Sequence, residues 1–223
     1  MAFQSPLPAV FGAMTLGKEG LEGVRVTTTE DANAMLDVFQ AHGHKEVDTA
    51  RLYGNGSSES MLARANWEKR GFIMETKLYP NAGRQLGDNM NVLSYSHSPK
   101  DLRQGLKESL EALQATKIDM WYLHGPDRKT PFEDTLRDVN KLYQEGYFTR
   151  FGISNYMSWE VAQICEICKK NEWIKPVCTR VSTMLFIGEL NSNYFLVCAT
   201  MESRSTASSL LLVVFSPLAI AET

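Results

Sequence analysis

The chain has 223 residues, of which 43% are hydrophobic and 22% charged, and a formal net charge of −3. These values are typical of one soluble globular domain. They argue against nucleic-acid binding, which usually shows a basic patch. The apolar stretch at 210–221 is too short to span a bilayer, and the chain opens without a signal-peptide pattern. We therefore expect a cytoplasmic protein without nucleic-acid or membrane partners, whose four cysteines stay reduced.

Short apolar runs alternate with helical spacings along most of the chain. Residues 9–16 predict the first strand, and further strands are expected at 45–48, 72–77, 118–124 and 149–154, with a sixth starting at 176. Between them, apolar residues recur at the spacing of an amphipathic helix. A helix is expected over about 57–67, and the other stripes are Ala32, Met35, Leu36 and Phe39; Leu102, Leu106, Leu110 and Leu113; Phe132, Leu136, Val139 and Tyr143; and Val161, Ile164 and Cys168.

Three helix starts carry capping signals. Ser98 precedes Pro99, which predicts an N-cap followed by proline at the first helical position. Residues 130–133 read Thr-Pro-Phe-Glu and predict a capping box, and Ser158 is the predicted cap of the helix after strand five. The loop at 79–97 is long and rich in Asn and Gly, and we expect it to help form a substrate pocket.

Cys165 and Cys168 have the C-x-x-C spacing of a redox motif. They lie inside a helical pattern rather than at a helix start that follows a strand. Ordinary core or surface thiols are therefore the better interpretation.

The strand and helix signals repeat at intervals of roughly thirty residues, the size of one β/α unit. Such alternation predicts a parallel sheet. A doubly wound sheet would fit equally well, but no G-x-G-x-x-G follows the first strand. A complete barrel of this type usually needs about 250 residues. The expected fold is therefore α/β, an incomplete (β/α)8 TIM barrel of five to six β/α units plus an atypical tail.

Four polar residues lie at or just beyond the ends of successive predicted strands. They are Asp48, Tyr53, Lys77 and His124. The carboxyl ends of the strands are where a β/α barrel places its chemistry, so we expect these side chains to meet. Each residue alone has a structural interpretation, as a turn cap, a loop aromatic, a solvated strand end or a rim histidine. The occurrence of all four on one rim favours a functional site, whereas Tyr79, Trp121, Tyr122 and Asp127 receive no role.

The four residues together predict a proton donor for carbonyl reduction. Hydride would have to come from a nicotinamide cofactor, because no side chain donates it. Tyr53 is the predicted acid, and an adjacent ammonium such as that of Lys77 eases loss of a phenolic proton. Asp48 would hold Lys77 in place, and His124 would orient the substrate oxygen. Residues 154–155, Ser-Asn at the end of strand five, offer polar groups for the nicotinamide carboxamide.

Five segments carry a family resemblance. They are 47–54 (Val-Asp-Thr-Ala-Arg-Leu-Tyr-Gly), 76–77 (Thr-Lys), 119–127 (Asp-Met-Trp-Tyr-Leu-His-Gly-Pro-Asp), 151–156 (Phe-Gly-Ile-Ser-Asn-Tyr) and 158–162 (Ser-Trp-Glu-Val-Ala). These segments resemble the aldo-keto reductases, most closely the aflatoxin-aldehyde reductase branch and its fungal relatives. This resemblance implies a (β/α)8 barrel, NADPH, and reduction of aldehydes or ketones. It also implies catalytic roles for Asp48, Tyr53, Lys77 and His124, and cofactor contacts from Asp48, Ser154 and Asn155, with no metal.

The chain departs from this family after Cys178. Strand six of the branch continues Tyr-Gln-Gly-x-Tyr-Asn, whereas residues 179–183 read Thr-Arg-Val-Ser-Thr. Codons for 179–188 can be read one base earlier as Tyr-Gln-Gly-Val-Tyr-Asn-Ala-Ile-His-Arg. We therefore expect a partial aldo-keto reductase barrel at 1–178 and a non-homologous, frame-shifted tail at 179–223, which would result from one lost base or from an error in the gene model.

A frame-shifted tail would leave open sheet edges, which invite aggregation, and would remove the family's sites for the adenosine phosphate of the cofactor. We expect an NADPH-dependent oxidoreductase by descent that acts on a small-molecule carbonyl substrate but has little activity as this chain. A homodimer is left open. The alternatives are a non-catalytic remnant or gene-model artefact, and a regulatory or binding module on an aldo-keto reductase scaffold.

Overall fold

The computed structural model describes residues 9–82 and 94–180, which form a parallel sheet with helices between its strands. Two 3-10 turns follow the first two strands, at Ala13–Thr15 and Tyr53–Gly56. The strands are Val10–Gly12 (β1), Glu46–Asp48 (β2), Ile73–Leu78 (β3), Ile118–Leu123 (β4), Phe148–Ser154 (β5) and Pro176–Arg180 (β6). The α-helices are Thr29–Ala41 (α1), Ser57–Arg64 (α2), Pro99–Leu113 (α3), Phe132–Gln144 (α4) and Ser158–Asn171 (α5).

The six described strands lie in the sheet in chain order, β1 to β6, and every neighbouring pair is parallel. This arrangement confirms the predicted barrel-type β/α alternation. All carboxyl ends therefore share one edge of the sheet. β6 runs across the expected junction at 178/179, with Ile153 opposite Thr179. The tail at 181–223 and residues 83–93 of the predicted substrate loop lie outside the described residues, so the frame shift stays a prediction.

Successive side chains of a strand point to opposite faces of the sheet, and the side chains on one face pack against the helices. The strand residues on this face include large apolar side chains that are at most 1% exposed. Their removal from water is the main driving force for folding. Val47, Met74, Trp121 and Phe151 share this cluster with helix residues Leu36, Leu62, Leu106 and Leu136.

The opposite face of the sheet is unusually polar below the carboxyl edge. Glu75 is 1% exposed, and it accepts a hydrogen bond from the Tyr122 hydroxyl at 3.1 Å. Arg150 Nη2 lies 3.7 Å from Glu75 Oε1. The Tyr122 ring crosses Gly152, where an added Cβ would be 2.3 Å from Tyr122 Cε1. These contacts fill the floor beneath the site.

Two elements are shorter than predicted. β1 ends at Gly12 rather than at residue 16, because the chain turns at Ala13, whose carbonyl accepts from Ser58 Oγ at 2.8 Å. Helix α2 ends at Arg64 rather than near residue 67. The Trp67 indole instead donates to the Leu113 carbonyl at 3.0 Å, which ties this turn to the end of α3.

One of the three predicted caps is correct. Ser98 caps α3 by accepting from the Asp101 amide at 3.2 Å. The capping box at 130–133 is wrong, because α4 begins at Phe132 and the Thr130 hydroxyl donates to Asp127 at 2.9 Å. Ser158 is also not a cap, since it is the first residue of α5 and Met157 occupies the N-cap position.

The two cysteines of the C-x-x-C pair are buried in α5 as core thiols. Burial raises the pKa of Cys168 to about 12, so this thiol stays protonated at neutral pH. Within residues 9–82 and 94–180, no helix is long and apolar enough to cross a membrane. No group of three or more His, Cys, Asp or Glu side chains in those ranges could hold a metal ion.

Candidate active site

The structure brings Asp48, Tyr53, Lys77 and His124 together at the carboxyl edge of the sheet. Asp48 ends β2, and Lys77 is the penultimate residue of β3. His124 directly follows β4, and Tyr53 begins the 3-10 turn after β2. Parallel pairing of β2, β3 and β4 puts these positions side by side.

The Lys77 ammonium is the centre of the cluster. Its Nζ donates to Asp48 Oδ2 and to the Thr49 carbonyl, each at 2.7 Å. The same nitrogen is 3.3 Å from the Tyr53 hydroxyl and 4.8 Å from the centroid of its ring. Lys77 is 2% exposed and Asp48 is 4% exposed. A charge removed from water at this depth is stable only with such partners.

His124 lies between two aromatic rings. Its imidazole centroid is 5.6 Å from that of Tyr53 and 5.7 Å from that of Tyr79, with interplanar angles of 82° and 85°. The His124 amide donates to the Leu78 carbonyl at 2.9 Å. Two edge-to-face contacts and a fixed backbone restrict the ring, which is half-buried. Tyr79 therefore belongs to the wall of the site, a placement that its sequence position alone did not predict.

Ser154 and Asn155 lie at the end of β5, beside His124. Asn155 has a positive φ of 61°, in the left-handed region that asparagine tolerates better than most residues. Its side-chain amide donates to the His124 carbonyl at 2.9 Å and to Ser154 Oγ at 3.2 Å. All six residues predicted for the site thus meet at one edge.

The turn that carries Tyr53 has an unusual backbone. Gly54, Asn55 and Gly56 have consecutive positive φ values of 51°, 52° and 84°, which favour glycine because it lacks a Cβ. The Arg51 guanidinium covers the turn so closely that a Cβ on Gly56 would lie 2.4 Å from its Nη1. This tight turn brings the Tyr53 ring back over Lys77.

Glu59 is a buried carboxylate behind the site that the sequence did not single out. It is 0% exposed. It accepts from Arg51 Nη1 at 2.8 Å and from Thr76 Oγ1 at 2.6 Å. Burial raises the pKa of the Glu59 carboxyl, although Arg51, Thr76 and Ser109 oppose that rise. Neither Arg51 nor Thr76 lies in α2, so the local sequence carried no signal for these contacts.

Asp127 joins the two loops that follow β3 and β4. Its Oδ2 accepts from the His97 amide at 3.0 Å and from the Thr130 hydroxyl at 2.9 Å, and its Oδ1 accepts from the Lys129 amide at 3.0 Å. Burial alone would raise the pKa of Asp127, but these hydrogen bonds lower it below its usual value. Burial lowers the pKa of His97 to about 4. The sequence predicted no role for either residue.

The fold and the site together define a class of β/α-barrel protein, in which a buried lysine–aspartate pair supports a tyrosine and a histidine at the carboxyl edge. The model of the Aldo/keto reductase family matches residues 8–218. The chain belongs to this family.

Two relatives show the extent of the similarity. Aldo-keto reductase pigE of Monascus ruber is 52% identical over 170 residues, which cover 76% of this chain and 49% of the relative. Aflatoxin B1 aldehyde reductase member 4 of Homo sapiens is 38% identical over 167 residues, or 75% of this chain and 46% of the relative. The chain thus spans about half the length of the curated relatives it matches.

A solved structure gives the same fold. The crystal structure of the thermostable aldo-keto reductase Tm1743 in complex with the inhibitor epalrestat aligns with a TM-score of 0.61 and 22% sequence identity. The alignment covers 78% of this chain and 57% of that chain.

Proposed function

We propose that this site reduces an aldehyde or ketone to an alcohol with NADPH, and that Tyr53 donates the proton. The observation that carries the proposal is the 3.3 Å distance between Lys77 Nζ and the Tyr53 hydroxyl, on a lysine that Asp48 holds at 2.7 Å. The family model and the names of the relatives support the reaction class. A small-molecule carbonyl compound is the proposed substrate.

Four side chains would contribute to the proton transfer in different ways. The Tyr53 hydroxyl would protonate the substrate oxygen, and the Lys77 ammonium would stabilise the phenolate that remains. Asp48 keeps the ammonium in place and compensates its burial. His124, which its aromatic neighbours restrict, would donate a hydrogen bond to the same oxygen and orient it.

The residues at the end of β5 suit a nicotinamide. The Ser154 hydroxyl and the Asn155 amide lie together, next to His124, and such groups bind a carboxamide well. We propose that they and Asp48 hold the nicotinamide end of NADPH, which supplies the hydride. We also propose a cytoplasmic location and a boundary between barrel and tail at 178/179, and a homodimer is left open.

A non-catalytic role is the second candidate, either as a binding or regulatory module or as a remnant. The observation that favours it is the departure of residues 179–183 from the family's strand-six pattern. A binding module would keep the cofactor contacts without turnover, and a remnant would keep neither.

The test is an assay of NADPH oxidation with a reactive aldehyde, alongside a fluorescence titration of NADPH binding. In the protein with the reading frame restored after Cys178, Tyr53→Phe should lower turnover by about 10²–10⁴-fold and leave NADPH affinity nearly unchanged, because the phenol supplies a proton and not cofactor affinity. A Tyr53→Phe protein that keeps most of the rate would remove Tyr53 from the acid role. NADPH binding without turnover in the unmodified chain would support the binding module.

A further inference from the structure

Glu59 is a fully buried charge that the proposed mechanism does not use. It lies on α2, outside the cluster of Asp48, Tyr53, Lys77 and His124, and it is 0% exposed. Burial of a carboxylate is costly unless hydrogen bonds and an opposite charge compensate it. Glu59 has both kinds of partner, and two of them come from the segments that carry Tyr53 and Lys77.

The partners of Glu59 flank the proposed acid and its lysine. Arg51, two residues before Tyr53, donates to Glu59 Oε2 at 2.8 Å. Thr76, directly before Lys77, donates to Glu59 Oε1 at 2.6 Å. Because side chains alternate along a strand, Thr76 points to α2 while Lys77 points to the site. The Glu59 carboxylate thus binds the segment that carries Tyr53 through Oε2 and the strand that carries Lys77 through Oε1.

Two further contacts make this link stiff. The Arg51 amide donates to the Lys77 carbonyl at 3.0 Å, so the two segments are also joined through their backbones. The Arg51 guanidinium lies against Gly56 at the far end of the turn. Arg51 therefore precedes the turn that holds Tyr53 and contacts the last residue of that turn, and its ion pair with Glu59 holds the guanidinium in place.

We propose that Glu59 is a positioning residue, which sets the separation between the Tyr53 hydroxyl and the Lys77 ammonium by holding Arg51 and Thr76 at once. The inference rests on the proposed function of Tyr53 and Lys77. A residue that only stabilised the fold would affect Tyr53 no more than any other tyrosine.

The experiment observes Tyr53 directly in the full chain labelled with fluorotyrosine, in which Tyr53→Phe assigns the Tyr53 resonance. Glu59→Gln keeps the shape of the side chain but has one acceptor oxygen and no charge. It therefore cannot bind Arg51 and Thr76 through separate oxygens as the carboxylate does. Thr76→Val removes one hydroxyl, and Thr76→Ser restores it. The matched controls are Glu160→Gln, a second buried glutamate paired with Arg128, and Thr135→Val, a second buried threonine.

We expect Glu59→Gln and Thr76→Val to shift and broaden the Tyr53 resonance, and Thr76→Ser and both controls to leave it unchanged. Where turnover is measurable, Glu59→Gln should lower kcat by about 10–100-fold with a near-constant KM for the carbonyl substrate. It should cause no further loss in the Tyr53→Phe background. An unchanged Tyr53 resonance in both Glu59→Gln and Thr76→Val, or an equal shift in the controls, would overturn the proposal.

The two proposals fail in different ways. The resonance of Tyr53 reports its surroundings without any turnover. If the protein with the reading frame restored after Cys178 lacks reductase activity while Thr76→Val still shifts the Tyr53 resonance, the proposed function is contradicted and the positioning role is supported. If Glu59→Gln does not fold, Thr76→Val decides the question alone.

Discussion

Lys77 concentrates the polar contacts of the site in one ammonium group. It binds Asp48, the Thr49 carbonyl and the Tyr53 hydroxyl and is nearly inaccessible to water. Such a group influences stability and chemistry together, because its removal leaves the Asp48 carboxylate buried without its counter-ion. The two effects can be separated by variants.

Lys77→Met should destabilise the fold by about 3–5 kcal/mol, since it breaks a buried ion pair from one side. The double variant Lys77→Met/Asp48→Asn removes both charges and should recover most of that loss. Neither variant should reduce aldehydes. Urea unfolding followed by tryptophan fluorescence measures the free energy of unfolding. Equal stabilities for the single and double variants would show that the pair is not coupled.

His97 should make stability depend on pH. Burial lowers the pKa of His97 from 6.5 to about 4, so the folded state resists its protonation. The free energy of unfolding should have its full value above about pH 6.5 and fall by about 3 kcal/mol as the pH approaches 4. His97→Phe should remove this slope while keeping the backbone hydrogen bond to Asp127. His42→Gln, at an exposed histidine, is the control, and an unchanged slope in His97→Phe would refute the assignment.

At the scale of elements, β4 and β5 approach each other closely because Gly152 has no side chain. The Tyr122 ring lies across it on the way to Glu75. The floor of the site thus depends on a glycine in a strand, where glycine is otherwise unfavourable.

Gly152→Ala should cost about 1–3 kcal/mol of stability, because its methyl group would displace the buried Tyr122 ring. Gly12→Ala in β1 is the matched control, since a Cβ there meets nothing within 4 Å. Thermal unfolding of both variants tests the difference. Two equal melting temperatures would mean that the Tyr122 ring has room to move.

The positions of Asp48, Lys77 and His124 could be predicted because each ends an apolar run, and the ends of parallel strands share one edge. Local pattern was less informative where another hydrogen-bond partner competes. Thr130 has the sequence of a cap, yet Asp127 takes its hydroxyl. Glu59 could not be recognised, because its partners, Arg51 and Thr76, lie outside α2 and meet it only in the folded protein.

At the scale of the whole molecule, β1 and β6 are the outer strands of the described sheet, and each pairs with another strand on one side. Unpaired strand edges favour association with other chains. Whether these edges become covered affects both self-association and activity. The reading frame after Cys178 is therefore the feature to change in a test.

Insertion of one base after the Cys178 codon should yield a monodisperse protein that oxidises NADPH with an aldehyde. The 223-residue chain itself should self-associate and show no measurable reductase activity. Sedimentation, NADPH titration and the aldehyde assay compare the two. A monodisperse 223-residue chain that binds NADPH tightly and turns over would contradict the frame-shift hypothesis, as would the lack of an open frame beyond the insertion.

The order of the strands in the sheet also has a consequence for synthesis. Each strand lies beside the one translated just before it, so pairing can follow the chain as it leaves the ribosome, from the N-terminus onward. Asp48, Tyr53, Lys77 and His124 all belong to β2, β3, β4 and the turns that follow them. The segments that carry the complete cluster therefore leave the ribosome ahead of α4, α5 and β6, and those later elements can be added to them.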